Sequence, residues 1–242
     1  MDNDARDGLR QHYEAVLSRL EKGLGMAGRK REEVLLLAVS KFQPADAVAA
    51  LAAMGQMDFG ENYVQEGLEK RHELDNADLT LASKLRWHMI GHVQSRKASQ
   101  TAGNFCLIHT LDSVKLASAM EKHLCQVDAV QKVLIEVNVG DEDQKTGLAR
   151  EDLHALADHV QSSCPHLSLQ GLMCIPPVYD AGEEARPYFA LLRKLCEELR
   201  TYTGLALPEL SMGMSGDFEW AIAEGATIVR VGTDIFGPRP HK

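Results

Sequence analysis

The chain has 242 residues, 45% of them hydrophobic and 25% charged, with a net charge of −9. That length and balance suit one large folded domain or two small ones and exclude disordered, collagen-like and coiled-coil classes. The acidic balance leaves no footprint for nucleic acid or an anionic membrane surface, because the basic run Arg29 to Arg31 is answered at once by Glu32 and Glu33.

The first ten residues, MDNDARDGLR, are acidic, and no later run approaches the roughly 18 apolar residues of a membrane span. A cytoplasmic protein is expected. Cys106, Cys125, Cys164, Cys174 and Cys196 are scattered without a Cys-x-x-Cys pair, which fits reduced thiols better than disulfides or zinc.

Residues 6 to 27 read as an amphipathic helix, with Leu9, Tyr13, Val16, Leu17, Leu20 and Leu24 at helical spacing. Val34 to Phe42, VLLLAVSKF, is a continuous aliphatic run, so it reads as a strand buried on both faces that delivers Lys41 at its carboxyl end. The alanine-rich PADAVAALAAMG follows as a helix opened by Pro44 and closed by Gly55. MDFGEN is a short second strand, a helix runs to about Leu74, and the polar loop DNADLT leads to the third strand, LRWHMIGHV. FCLIHTLD and KVLIEVNVG are strands four and five, each followed by a helix, from Ser113 to about Cys125 and from about Arg150 to Ser162. LSLQGLMCI, stopped by Pro176 and Pro177, is strand six, and a helix from about Glu183 to Tyr202 follows. ELSMGM, the helix DFEWAIAEG and the strand TIVRVG complete the pattern.

Eight strands, nearly all separated by helices and with no linker-like break, predict a single-domain (β/α)8 TIM barrel with an extra N-terminal helix. A doubly wound open sheet is the competing α/β arrangement, but the turn after strand one is KFQPAD rather than a Gly-x-Gly-x-x-Gly phosphate loop.

The working face of such a barrel is built from the carboxyl ends of its strands. These ends carry Lys41, Glu61, Asn62, His88, His92, Gln94, Asp112, Asn138, Met214, Ser215, Arg230, Gly232 and Thr233. MGMSGD and VRVGTDIFG form the most specific part. Small residues there admit backbone N–H groups to an anion, and the hydroxyls of Ser215 and Thr233 add donors, so a phosphate site is expected. Arg230, if it faces inward, meets either a ring nitrogen, an anion or an ion-pair partner. Asn62 either supports a bound ring or caps a helix. His88 and His92 sit on one side of a strand rather than on a helix and lack a third ligand, so no metal is expected. GDEDQKTG lacks the ligand register of a calcium loop and reads as a solvated segment.

A reactive lysine beside a phosphate cradle admits an aldolase-type barrel acting on a sugar phosphate, or a protein whose lysine holds pyridoxal 5′-phosphate (PLP). Spacing alone does not choose between them. AVSKF, FGENYVQE, WHMIGHVQSRK, GLMCIPP, SMGMSGDFEWAI and VRVGTDIFG, in this order along nearly the whole chain, resemble the pyridoxal phosphate homeostasis protein family. The resemblance implies one barrel domain over residues 1–242, similar to the amino-terminal domain of alanine racemase, with residues 1–28 as a helix packed on it. It also implies PLP as cofactor, bound as a Schiff base on Lys41. By the same resemblance Ser215, Gly232 and Thr233 match phosphate-binding positions, Arg230 the arginine beside the cofactor, and Asn62 the asparagine of FGEN. The chain departs from the family pattern at Arg96, where an asparagine is usual, and at Val93, where a leucine is usual.

The role implied is a non-catalytic PLP-binding protein of vitamin B6 homeostasis that buffers the cofactor or delivers it to apo PLP-dependent enzymes. The alternative is a weak PLP-dependent amino-acid racemase. Racemisation needs acid/base groups on both faces of the adduct, and Lys41 supplies one. Related racemases carry a second, mostly β domain after the barrel, whereas this chain ends shortly after its last strand, so custody of the cofactor and a monomer are expected.

Overall fold

Continuous aliphatic strands need both faces covered, and the chain meets that need by closing its strands into a ring with helices outside. The computed structural model describes residues 1–142, 146–177 and 181–237; residues 143–145, within the segment expected as a solvated loop, lie outside these. The first half runs α1 (Asn3–Ala27), β1 (Leu35–Val39), α2 (Ala45–Ala53), β2 (Asp58–Glu61), α3 (Val64–Ala77), α4 (Leu79–Ala82), β3 (Arg86–Met89) and α5 (Ala98–Thr101). The second runs β4 (Leu107–Leu111), α6 (Val114–Val127), β5 (Gln131–Glu136), α7 (Leu153–Ser163), β6 (Leu167–Met173), α8 (Arg186–Thr203), β7 (Glu209–Ser211), α9 (Phe218–Ala223), β8 (Ile228–Val231) and α10 (Thr233–Phe236).

The strands pair in parallel in chain order, and β8 returns to β1 to close the barrel, with Leu35 beside Ile228 and Leu37 beside Arg230. The expected single-domain barrel with an N-terminal helix is the observed fold. Alternation along each strand sorts the side chains into two sets. Leu36, Ala38, Val229 and Val231 join the helices in the large outer core. Leu37, Ile90, Leu107, Leu134, Met173 and Ile228 form a smaller cluster inside the ring. That interior is not wholly aliphatic, since Asp58, His88, His109, Ser211 and Arg230 are buried as well.

Asp2 opens α1 by accepting from the Ala5 N–H at 2.8 Å, and Gly28 closes it in the left-handed region at φ 65. Leu9, Tyr13, Val16, Leu20 and Leu24 form its buried stripe, where full burial of one large aliphatic contributes about 1.5–3 kcal/mol. The stripe lies across α9 and α10, which flank the last strands. The N-terminal helix thereby sits beside the predicted phosphate corner.

Some boundaries differ from the sequence reading. The segment read as the loop DNADLT belongs partly to α3 and then to α4, because Asp78 accepts from the Leu81 N–H at 3.0 Å and so caps a short helix. β1 stops at Val39, which leaves Lys41 in a turn just beyond the strand. No helix among the described residues is long and apolar enough to cross a membrane.

Candidate functional site

The β1 turn puts Lys41 at the barrel mouth and is bent by Phe42, a non-glycine residue at φ 64. A bulky side chain in that region is uncommon and persists where its surroundings fix it. The fixing groups come from β2 and α3. Ser40 Oγ donates to Glu61 Oε1 at 2.6 Å, and Lys70 Nζ donates to the same oxygen at 2.6 Å and to the Ser40 carbonyl at 2.7 Å. Glu66, 3.2 Å from Lys70 Nζ, accepts the Phe42 N–H. Ser40 is therefore gripped by buried charge, the Lys70 side chain being 5% exposed and that of Glu61 0%, and Phe42 is held by the partly exposed Glu66 that Lys70 pairs with. Burial raises the Glu61 pKa, opposed by Lys70 and Ser40.

Lys41 shares one pocket of about 250 Å3 with Asn62, Ser215, Arg230, Gly232 and Thr233, and Val39, Ile90, Ile175 and Phe236 give it apolar walls. All six residues singled out from the sequence are thus brought together. Asn62 Oδ1 is buried with no hydrogen-bond partner, so a residue lining the pocket carries an unpaired acceptor. Gly91 makes this placement possible: a Cβ there would lie 2.1 Å from the Asn62 carbonyl oxygen. Across the pocket, the backbone N–H groups of Ser215, Gly216 and Thr233 have no acceptor among the described residues. Gly213, at φ 91, lets α9 close in behind them, because a Cβ there would lie 2.5 Å from the Ala221 Cβ. Open N–H donors and hydroxyls on two adjacent loops suit an anion.

Arg230 faces inward, but its side-chain hydrogen bonds go to neutral acceptors, Ser211 Oγ at 2.7 Å and the Cys174 carbonyl at 2.9 Å. Burial lowers its pKa, against Cys174, Asp217 and Glu136, and the guanidinium remains a cation able only to donate. His88 and His92, expected on one side of a strand, part company because β3 ends at Met89. His88 is buried against His109, 3.0 Å away, while His92 pairs with Asp112 at 3.0 Å.

Sequence reasoning missed Ser40, Glu66 and Lys70, and also Arg19. Arg19 reaches from α1 to the Ser215 carbonyl at 2.9 Å, to Glu219 at 2.7 Å and to Asp234 at 2.5 Å, and lies 4.5 Å from the Phe218 ring centroid. One side chain thus joins both anion-facing loops. Lys70 had a signal in the sequence: with Val64, Gly67 and Leu74 it occupies the buried stripe of α3, a slot where a lysine needs partners.

The family described as the alanine racemase N-terminal domain matches residues 17–240. A pyridoxal phosphate homeostasis protein of Aquifex aeolicus is 43% identical over 93% of this chain and 96% of its own. This chain belongs to the pyridoxal phosphate homeostasis protein family. The family's member from Pseudomonas aeruginosa is 42% identical over 96% of each chain. PipY of Synechococcus elongatus, whose structure was solved with PLP bound, is 36% identical, with a TM-score of 0.79 over 90% of this chain and 99% of its own. Against the pattern of the pyridoxal phosphate homeostasis proteins, Val93 is a buried core residue and Arg96 donates to Gln94 Oε1 at 2.9 Å. Neither lines the pocket.

Proposed function

We propose that this protein binds PLP in the Lys41 pocket, holds it as a Schiff base on Lys41, and buffers or delivers it without catalytic turnover. The observation that carries this reading is the meeting of one lysine and one set of open backbone donors across a single small pocket. PLP supplies an aldehyde that condenses with a primary amine, a phosphate, and a hydroxyl-bearing pyridine ring. The residues fit such a group. Lys41 offers the amine, Ser215, Gly216, Gly232 and Thr233 surround the anion, and the unpartnered Asn62 Oδ1 accepts a hydroxyl. Arg230 presents N–H donors where a ring nitrogen accepts. PipY, a relative solved with PLP, supports the choice of ligand.

Among the described lining residues, Lys41 and Arg230 are the only ionisable side chains, and Arg230 stays cationic, so Lys41 is the one candidate acid/base group. A site with one base supports custody over racemisation, which needs a second acid/base group on the opposite face. Apo PLP-dependent enzymes are the recipients in this reading, and the protein acts in the cytoplasm as a monomer.

Absorbance is the first test. The purified protein should take up PLP and turn yellow, and borohydride should fix the label on Lys41. Lys41→Ala should abolish that linkage, whereas labelling of another lysine would contradict the assignment. Incubation of the holo-protein with single amino acids in deuterated water should give no α-proton exchange at turnover, while PLP passes to an apo-enzyme. Exchange at turnover would make the protein a racemase-type enzyme. Light scattering checks the monomer.

A further inference from the structure

Below Arg230 the barrel interior carries a row of buried polar side chains. Arg230 Nη1 donates to Ser211 Oγ at 2.7 Å, and Ser211 Oγ lies 2.8 Å from His109 Nδ1. His109 Nε2 lies 3.0 Å from His88 Nδ1, and His88 Nε2 lies 3.3 Å from Asp58 Oδ1. Arg86 closes the row at the opposite mouth, donating Nε to Asp58 Oδ1 at 2.7 Å and Nη2 to Oδ2 at 2.5 Å. From Arg230 to Asp58 no member is more than 4% exposed.

The two ends set a direction. A guanidinium only donates, an ionised carboxylate only accepts, and a neutral imidazole does one of each. Burial favours a protonated Asp58, but hydrogen bonds from His88 and Arg86 outweigh it and hold the carboxyl below its ordinary value. Working up from Asp58, His88 must carry its hydrogen on Nε2 and accept at Nδ1. His109 then donates from Nε2 and accepts at Nδ1, so the Ser211 hydroxyl donates to His109 and turns a lone pair to Arg230. Working down from Arg230 gives the same order once the Ser211 hydroxyl is required to donate, since His109 Nδ1 is its one remaining partner among the described residues. A second proton on His88 would reverse the upper links and leave the Ser211 hydroxyl facing two donors, without an acceptor among the described residues. Burial above all, with the Arg230 cation nearby, holds the His109 pKa well below its ordinary value.

We infer that Asp58, His88 and His109 are positioning residues for Arg230, acting through one oriented hydrogen-bond chain in which both imidazoles are neutral Nε2–H tautomers. The chain takes one Nη1 donor and the Cys174 carbonyl one Nη2 donor, which leaves the remaining N–H groups for the pocket that Arg230 lines. Its consequence for the cofactor rests on the PLP reading above; the tautomers themselves do not.

Nitrogen NMR of the full-length apo-protein labelled in histidine, with resonances assigned through His88→Gln and His109→Gln, tests the chain directly. Two neutral Nε2–H rings are expected, and an Nδ1–H tautomer or an imidazolium at either position overturns the inference. The holo-protein tests the positioning role from the far end. Asp58→Asn replaces the acceptor-only carboxylate by a group that can also donate, so the direction is no longer imposed. It should weaken PLP binding about tenfold, the loss of roughly one net charged hydrogen bond, and shift the absorption of the bound cofactor. A native circular dichroism spectrum with unchanged PLP affinity and absorption would sink the proposal. If Asp58→Asn fails to fold, His109→Gln and His109→Leu decide. Glutamine can accept and donate at once, so it should retain affinity where leucine loses it, and equal behaviour of the two counts against the chain. A protein with the expected tautomers that takes up no PLP would remove the PLP reading and leave the chain standing.

Discussion

The Lys41 turn and the anion-facing loops look at each other across one pocket, yet they are held by different physics. Ser40, Glu61 and Lys70 fix the Lys41 turn from inside, where Lys70 and Glu61 are almost wholly shielded from water. Arg19 fixes the opposite loops from α1, and its pairs with Glu219 and Asp234 are about a third exposed, at 39% and 32%. Removing one member of a buried ion pair strands the other charge, whereas water and salt take over much of an exposed pair. The amine side is thus built to tolerate little change, and the anion side can be tuned.

Lys70→Met should break the comparison open most strongly. It leaves Glu61 buried without its cation, at a cost of about 3–5 kcal/mol read from the denaturation midpoint. Pairing it with Glu61→Leu should restore most of that stability, because buried ion pairs are often replaced by apolar groups at little cost. PLP affinity should stay impaired in the pair, since the Ser40 carbonyl still lacks its donor. Wild-type affinity in the double variant would show that the clamp serves folding alone.

On the other side, Arg19→Ala should cost only about 1 kcal/mol of stability after screening, while PLP dissociates faster, by a factor that shrinks at high salt because the lost pairs are already screened in the wild type. A stability loss as large as that of Lys70→Met would erase the distinction. Asp217 offers a pH test of the same loops. Burial raises its pKa above 3.8, against the Met214 N–H that it accepts at 2.6 Å. Its stabilising contribution is present below that ordinary value and is lost as pH rises through the folded value. Asp217→Asn keeps an acceptor for Met214 without the titration, so the variant should gain on the wild type between pH 3 and neutrality. A constant difference across that range would remove Asp217 from the account. Arg150→Ala, which breaks an exposed pair with Asp141 away from the pocket, should change stability by less than about 0.5 kcal/mol.

Much of this was legible in the sequence, for reasons that differ by region. Aliphatic runs such as VLLLAV force double-sided burial, so the alternation of strands and helices pointed to a barrel. Lys41, Asn62, Ser215, Arg230, Gly232 and Thr233 could be read as one set because a barrel brings all its strand ends to one face. Lys70 and Arg19 were not legible in that way. Each sits on a helix among other charged residues, and its target is a backbone carbonyl whose position depends on tertiary packing. His88 was misplaced beside His92 because a four-residue spacing carries no information on where a strand ends. The inward row from Asp58 to Arg230 is scattered over five strands, and only barrel closure lines it up.

The closure of β8 onto β1, together with the grip of Arg19 on Ser215 and Asp234, also sets an order of events during synthesis. Leu37 meets Arg230, and α1 meets α9, so contacts of long sequence separation complete the pocket. Such contacts form late and slowly compared with local ones. A nascent chain still on the ribosome at α8 has already exposed Lys41 but owns neither Arg230 nor the anion-facing loops. In the PLP reading proposed above, Lys41 would meet aldehydes first as an ordinary amine, and selectivity for a phosphorylated one would arrive only when the last strand docks.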